Sequence, residues 1–263
     1  MAVSALMAFG IPIALYAALR RRFSLKFVPA LAGAAVFVVF VLILESAMHR
    51  MILNPDADGN IALMANPVLF VTYAALAAGA YEELGRLAAM WLLRRKDRYT
   101  GPGTAIAYGI GHGGIESILV AGLTMIATII MSVMINGGYS DVLGTAETVA
   151  ESAAILAGTP PAMFLASGFE RILAVGIHLS LSVVVWAALE KNKWYLVPAA
   201  VLVHALCDVP AAMLQCGVYD DVLIAEALTT VMAVLTALFG IWVWKTFGIG
   251  SETDSAAGTE SEQ

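Results

Sequence analysis

The sequence has little charge, little cysteine and no excess of basic residues, and each shortage excludes a class of protein. Only 13% of its 263 residues are charged and 60% are hydrophobic, which excludes an intrinsically disordered chain. Two cysteines, Cys207 and Cys216, are too few for a small disulfide scaffold. The 14 Lys and Arg against 20 Asp and Glu give a net charge of −6, so no nucleic-acid-binding face is expected. A mean hydropathy of +0.85 predicts instead a protein that lies in a lipid bilayer.

Long apolar stretches are abundant. A helix needs about 20 mostly apolar residues to cross a hydrocarbon core of about 30 Å. Seven stretches qualify, at 2–19, 27–48, 67–93, 104–135, 162–189, 194–214 and 222–247. We therefore predict an all-α polytopic membrane protein in which residues 1–247 form one integral membrane domain and residues 248–263 a disordered polar tail. A weak helical pattern at 145–156 predicts a further helix between the fourth and fifth spans.

The basic residues are distributed unevenly between the two sides of the predicted bundle. Basic residues near membrane ends are retained in the cytoplasm, so their positions set the orientation. Eleven of the 14 follow the first, third, fifth and seventh spans, which places them all on one side. We therefore predict an outside N-terminus and a cytoplasmic C-terminal tail.

Ionisable side chains inside the predicted spans are the most informative feature. A charged side chain near the bilayer centre costs at least about 2.5–3.5 kcal/mol, so such residues normally face other helices and have partners. Helical rise places Glu and His residues from four spans at one depth, roughly 12–18 Å from the cytoplasmic end. They are Glu82, Glu83, His112, His178 and His204. Glu45 and Glu226 lie near outer ends, where we expect them to reach water.

Spacing along each helix predicts which of these side chains are neighbours. Residues three or four positions apart share a helix face, which predicts three pairs. They are Glu82 or Glu83 with Arg86, His112 with Glu116, and His204 with Asp208. The i,i+4 relation with Arg86 would orient Glu82 and favours it over Glu83 as a catalytic base. A packing role is the alternative for each pair, and we interpret Glu170 and Arg171 as a structural ion pair.

Three imidazoles and several carboxylates at one depth are typical of a catalytic zinc site, in which three protein ligands leave a position open for water. A nearby glutamate can take a proton from that water. The sequence therefore predicts hydrolysis inside the membrane. A transporter or channel for metal ions or protons could use the same polar layer, and a catalytically silent scaffold that binds a membrane partner is a third possibility.

Small residues surround His112. Ala105, Gly109 and Gly113 recur at four-residue spacing, and Gly111 lies in the same segment. The pattern predicts close helix packing, and it also allows an extended substrate backbone to approach the site.

Four motifs carry a family resemblance. YEELGR at 81–86, GHGGIE at 111–116, FER at 169–171 with His178, and HALCD at 204–208 resemble the motifs of the YhfC-like intramembrane metalloproteases. That family is similar to the wider group of CAAX-prenyl proteases and bacteriocin-processing enzymes. The resemblance covers the third to sixth spans, roughly residues 73–215, and implies a catalytic core at about residues 67–214. The arginine here is one residue closer to the paired glutamates than in the wider group.

The resemblance implies a zinc-dependent endopeptidase in a prokaryotic cell membrane that acts on a membrane-associated peptide or protein. Glu82 or Glu83 with His112 would activate the water, and His204 with Asp208 would bind metal or stabilise the oxyanion. His178 and Glu116 are typical of the YhfC-like branch. The implied catalytic residues are Glu82, Glu83, Arg86 and Glu116, and the implied metal ligands are His112, His178, His204 and Asp208.

Overall fold

The computed structural model describes residues 1–249, apart from the side chain of Ser140, and every regular element in that range is a helix. The predicted all-α class is confirmed. The long helices are α1 (Ala2–Arg20), α2 (Phe27–Leu53), α3 (Pro67–Arg94), α4 (Gly103–Asn136), α5 (Ala146–Gly158), α6 (Pro161–Glu190), α7 (Leu196–Gln215) and α8 (Val222–Thr246). Most of the predicted tail, residues 250–263, lies outside the described residues.

Six of these helices are long and apolar enough to cross a membrane: α1, α2, α4, α6, α7 and α8. Helix α3 coincides with the predicted third span and has 28 residues, but Glu82, Glu83 and Arg86 lie in it and lower its hydropathy. The predicted total of seven spans therefore stays a prediction. The helix expected between the fourth and fifth spans is α5, where the Thr145 hydroxyl caps the first turn by accepting a hydrogen bond from the Thr148 amide at 3.3 Å.

Two of the spans contain π-helical turns close to the polar residues. In α2 these turns cover Phe37–Glu45, and in α4 they cover Ser117–Gly122, directly after Glu116. An extra residue per turn changes which side chains point into the bundle, and such turns are frequent at functional sites. The π-helical turns end at Glu45 in α2 and begin directly after Glu116 in α4.

Close helix contacts depend on glycine. A Cβ at Gly111 would lie 1.9 Å from the Ala30 carbonyl oxygen on α2, and one at Gly109 would lie 2.7 Å from the Leu179 Cα on α6. The predicted close packing is confirmed. The space beside these two glycines is filled by α2 and α6, so they do not leave room there for a substrate backbone.

The largest apolar core lies on the side of the bundle where α6 ends and α7 begins. Tyr108 of α4, Met90 of α3 and Trp186 of α6 are fully buried there with Val184 and Leu196. Helix α3 packs along α7, while α6 packs against α4 and α8. These contacts fix the four helices that carry the predicted site residues.

Candidate metal centre

Four helices bring all eight predicted site residues into one buried cluster. Helix α3 contributes Glu82, Glu83 and Arg86, α4 contributes His112 and Glu116, α6 contributes His178, and α7 contributes His204 and Asp208. A cavity of about 90 Å³ opens beside them, lined by groups that include Glu82, His178, His204 and Asp208. The catalytic and metal-binding roles of the individual residues stay predictions.

Glu82 lies at the centre of the cluster. Its Oε2 atom is 2.8 Å from His112 Nε2 and 3.7 Å from His178 Nδ1, and its Oε1 atom is 3.7 Å from His204 Nε2. One possible ligand atom each from Glu82, His178 and His204 lies within 4.8 Å of the others. His112 contacts this group through Glu82, because its Nε2 atom faces the carboxylate.

Glu83, and not Glu82, is the partner of Arg86. Arg86 Nε lies 2.9 Å from Glu83 Oε2, and the other carboxylate oxygen is 2.7 Å from His204 Nδ1. The expectation that Arg86 orients Glu82 is therefore wrong. Residues three and four positions before Arg86 are both within reach along a helix, and here Glu82 turns towards the histidines instead.

Arg86 also ties α3 to α6. Its Nη1 group donates to the His178 carbonyl oxygen at 2.8 Å and to the Ser182 hydroxyl, and its Nη2 group contacts His178 Nδ1 at 3.0 Å. The side chain is completely buried. Arg86 thus connects Glu83 and His204 on one side to His178 on the other.

Glu116 pairs with residues of α6 rather than with His112. Glu116 Oε2 lies 2.5 Å from His178 Nε2, and Glu116 Oε1 accepts a hydrogen bond from Arg171 Nη1 at 2.9 Å. The prediction that His112 pairs with Glu116 is therefore wrong. The His112 ring is turned towards Glu82 and packs against Phe37, with 5.5 Å between the two ring centroids.

Arg171 and Glu170 form the predicted ion pair, but it is not isolated from the site. Arg171 Nη2 donates to Glu170 Oε1 at 2.6 Å while Nη1 holds Glu116.

Asp208 lies next to His204, with 3.7 Å between Oδ2 and Nε2, and this buried oxygen has no hydrogen-bond partner among the described residues. Asp208 is therefore a carboxylate at the cavity with an oxygen still available.

The charges in the cluster are unbalanced. Five carboxylates, those of Glu82, Glu83, Glu116, Glu170 and Asp208, face the two guanidinium groups of Arg86 and Arg171. With neutral imidazoles the group carries an excess of three negative charges, and buried charge of one sign requires protons or a cation for compensation. Imidazole nitrogens and carboxylate oxygens are also the donors that zinc prefers, so the residues present fit a divalent metal ion.

A second polar cluster on α2 and α3 was not predicted. His49 Nδ1 lies 2.7 Å from the Tyr73 hydroxyl, and His49 Nε2 lies 3.1 Å from Glu45 Oε1. Glu45 is only 5% exposed, so the expectation that it reaches water is wrong. The Glu226 side chain is also partly enclosed, with one buried oxygen. The i,i+4 spacing of Glu45 and His49 could have revealed the first cluster, but the predicted span ended at residue 48, before His49.

Comparison with known proteins identifies the family. A sequence profile of the YhfC intramembrane metalloprotease family matches residues 6–229. The uncharacterized membrane protein YhfC of Bacillus subtilis (strain 168) is 30% identical over 249 residues, covering 93% of this chain and 94% of the relative. The gamma-secretase subunit APH-1B of Mus musculus is 25% identical over 252 residues, which cover 93% of this chain and 87% of that subunit. This chain is an integral membrane protein that belongs to the YhfC intramembrane metalloprotease family.

Proposed function

We propose that this protein is a zinc-dependent intramembrane endopeptidase that hydrolyses a peptide bond of a membrane-associated peptide or protein. The observation that carries the proposal is the convergence of Glu82, His178 and His204, whose ligand atoms lie within 4.8 Å of one another beside a cavity. Family membership supports the same reaction class.

Glu82, His178 and His204 would hold the metal ion. Two imidazole nitrogens and one carboxylate oxygen form a known donor set of catalytic zinc sites, which keep one position open. When bound, zinc supplies Lewis-acid chemistry, which polarises a carbonyl group and makes a water molecule nucleophilic at neutral pH. Each of the three residues is oriented by a further side chain: Glu82 by His112, His204 by Glu83, and His178 by Glu116.

Asp208 is the group best placed to move a proton. Its Oδ2 atom has no hydrogen-bond partner in the described part of the chain, and its side chain is 38% exposed at the cavity. Glu83 is unsuited because Arg86 and His204 contact its two oxygens. Asp208 would take a proton from the attacking water and return it to the amide nitrogen of the leaving segment. This assignment exchanges the roles that spacing and resemblance imply for Glu82 and Asp208.

The same proposal includes a location in a prokaryotic cell membrane with the N-terminus outside and the C-terminus in the cytoplasm. The clusters of basic residues after α1 and α3 and between α6 and α7 support this orientation. A reporter fused after residue 263 and a second one fused before residue 1 would test it, because only the second should be reached from outside intact cells.

The metal and the reaction are tested together on the full chain purified in detergent. Zinc content is measured after dialysis, and cleavage of a transmembrane peptide is followed in the same samples. We expect E82Q and H204Q to lose both zinc and cleavage, and D208N to retain zinc but lose cleavage. Wild-type zinc content and cleavage in all three variants would overturn the site assignment.

A membrane scaffold is the second candidate, and the similarity to APH-1B, named as a gamma-secretase subunit, favours it. The cluster is consistent with this role because some of its acidic and basic side chains form ion pairs with one another, as in Glu83–Arg86 and Glu116–Arg171. A scaffold would retain no zinc and cleave no peptide while keeping wild-type stability in D208N. Zinc flux into liposomes without any peptide would instead indicate a transporter.

A further inference from the structure

Two series of side chains approach the cavity in the same order of residue types. In the first, Arg86 Nε contacts Glu83 Oε2 at 2.9 Å, and Glu83 Oε1 contacts His204 Nδ1 at 2.7 Å. In the second, Arg171 Nη1 contacts Glu116 Oε1 at 2.9 Å, and Glu116 Oε2 contacts His178 Nε2 at 2.5 Å. Each arginine holds a glutamate, and each glutamate holds a histidine.

The two glutamates contact different nitrogens of their histidines. A carboxylate only accepts hydrogen bonds, so the ring nitrogen that faces it carries the proton of a neutral imidazole. For His204 that nitrogen is Nδ1, which leaves the lone pair on Nε2, 3.7 Å from both Glu82 Oε1 and Asp208 Oδ2. For His178 the protonated nitrogen is Nε2.

A second contact fixes His178 independently of Glu116. His178 Nδ1 lies 3.0 Å from Arg86 Nη2, and a guanidinium group can only donate, so Nδ1 must carry the lone pair. Nδ1 is also the His178 atom that lies 3.7 Å from Glu82 Oε2. Two contacts from different helices, α3 and α4, therefore agree on one tautomer.

We infer that Arg171 is a positioning residue that acts through Glu116 to hold the Nε2–H group of His178, while Arg86 holds Nδ1 of the same ring. The tautomers follow from the contacts in the protein itself. Their consequence for zinc rests on the proposed function.

Arg171 is suited to this task because it holds Glu116 from the side opposite His178. Its guanidinium group binds one oxygen of Glu116 and leaves the other for the imidazole. Glu170 occupies a second N–H group of Arg171 and fixes the guanidinium plane. Without Arg171, the Glu116 carboxylate loses this contact and holds the His178 Nε2–H group less firmly, while the Arg86 contact keeps the tautomer unchanged.

Nitrogen NMR of the metal-free full chain in detergent tests the inference directly, because the protein has only four histidines. Long-range proton–nitrogen correlations of 15N-histidine-labelled protein distinguish the two neutral tautomers, and single histidine substitutions assign the signals. We expect His178 to be protonated on Nε2 and His204 on Nδ1. An Nδ1-protonated His178 in the wild-type protein would overturn the inference without any variant.

Three variants separate positioning from general stability. Arg171→Met should shift the His178 Nε2 and Hε2 signals and leave the tautomer and the His204 signals unchanged, and Arg171→Lys should restore the His178 signals in part. Glu170→Gln is the matched control, because Glu170 contacts the same guanidinium group but has no described contact with His178; it should leave the His178 signals unchanged. Unchanged His178 Nε2 and Hε2 signals in folded Arg171→Met would refute the positioning role.

Zinc affinity supplies a second readout. Groups that orient metal ligands typically change affinity by about 10–100-fold, and we expect Arg171→Met to weaken zinc binding by about 10-fold. If the wild-type protein shows the expected tautomers but binds no zinc, the proposed function fails and the positioning role stands. If zinc binds with equal affinity to wild type and Arg171→Met, the positioning role fails and the proposed function stands.

Discussion

The two Arg–Glu–His series differ in how deeply they are buried. The Arg86 and Glu83 side chains are completely buried, whereas those of Arg171, Glu116 and Glu170 are 6%, 16% and 36% exposed. Arg86 also binds the backbone of α6 and the Ser182 hydroxyl, while Arg171 binds two carboxylates. The Arg86 series therefore joins the helices together and orients His204, and the Arg171 series mainly orients His178.

Water explains why this difference matters. A charge that loses its partner in a fully buried place has no alternative means of solvation, whereas one near a cavity can be hydrated. The Arg–Glu–His contacts should consequently be essential for folding in the Arg86 series. In the Arg171 series their loss should be tolerated. The predictions below test that contrast.

The largest effect is expected for Arg86→Met. Removal of this guanidinium leaves the buried Glu83 charge without its cationic partner, and breaking a buried pair in this way costs about 3–5 kcal/mol. Unfolding of the purified protein in a denaturing detergent gives the change in free energy. Arg171→Met is the matched control and should cost about 1–3 kcal/mol, as expected for lost hydrogen bonds to charged groups. Equal losses in the two variants would contradict the comparison.

The next effect concerns zinc binding by the two glutamate variants. E83Q and E116Q each remove a carboxylate that holds a histidine, so we expect zinc affinity to fall by about 10–100-fold. The loss of zinc affinity should be near 100-fold for E83Q, because the buried Arg86 charge then has no carboxylate partner. It should be near 10-fold for E116Q. Competition with a chelator of known affinity measures both values. A larger loss of zinc affinity in E116Q than in E83Q would contradict this prediction.

Helix packing allows each series to be disturbed separately. A Cβ at Gly79 would lie 2.6 Å from the Val201 carbonyl oxygen, between α3 and α7, which carry Glu83 and His204. A Cβ at Gly113 would lie 3.0 Å from Val175 Cα, between α4 and α6, which carry Glu116 and His178. We expect Gly79→Ala and Gly113→Ala to destabilise the protein by about 1–3 kcal/mol through overpacking, with the larger cost for Gly79→Ala.

The same two variants should change different NMR signals. Gly79→Ala moves α3 against α7 and should shift the imidazole signals of His204, whereas Gly113→Ala should shift those of His178. Gly10→Ala is a neutral reference, since a Cβ there meets no atom of residues 1–249 within 4 Å. If each variant shifts the NMR signals of His178 and His204 to the same extent, a change in one series also alters the other.

The contrast between the two series also shows what the sequence could predict. Apolar length identified the helices, and depth along them predicted that Glu82, His112, His178 and His204 would converge. Spacing within one helix could not decide the partner of Arg86, because Glu82 and Glu83 are both within reach of it. Contacts between helices, such as Glu116 with His178, depend on packing that spacing within a helix does not describe.

The smallest effect is expected for a further Glu–His pair, Glu45 with His49, which an aromatic hydroxyl rather than an arginine supports. His49 is 29% exposed, and the Tyr73 hydroxyl contacts its Nδ1 atom at 2.7 Å. Tyr73→Phe removes this hydrogen bond and should cost about 0.5–1.5 kcal/mol of stability. Zinc affinity should stay within about twofold of wild type, because none of the three residues belongs to the group formed by Glu82, His178 and His204. A tenfold loss of zinc affinity in Tyr73→Phe would show that this cluster contributes to zinc binding. The two arginine-supported series alone would then not explain the zinc affinity of the protein.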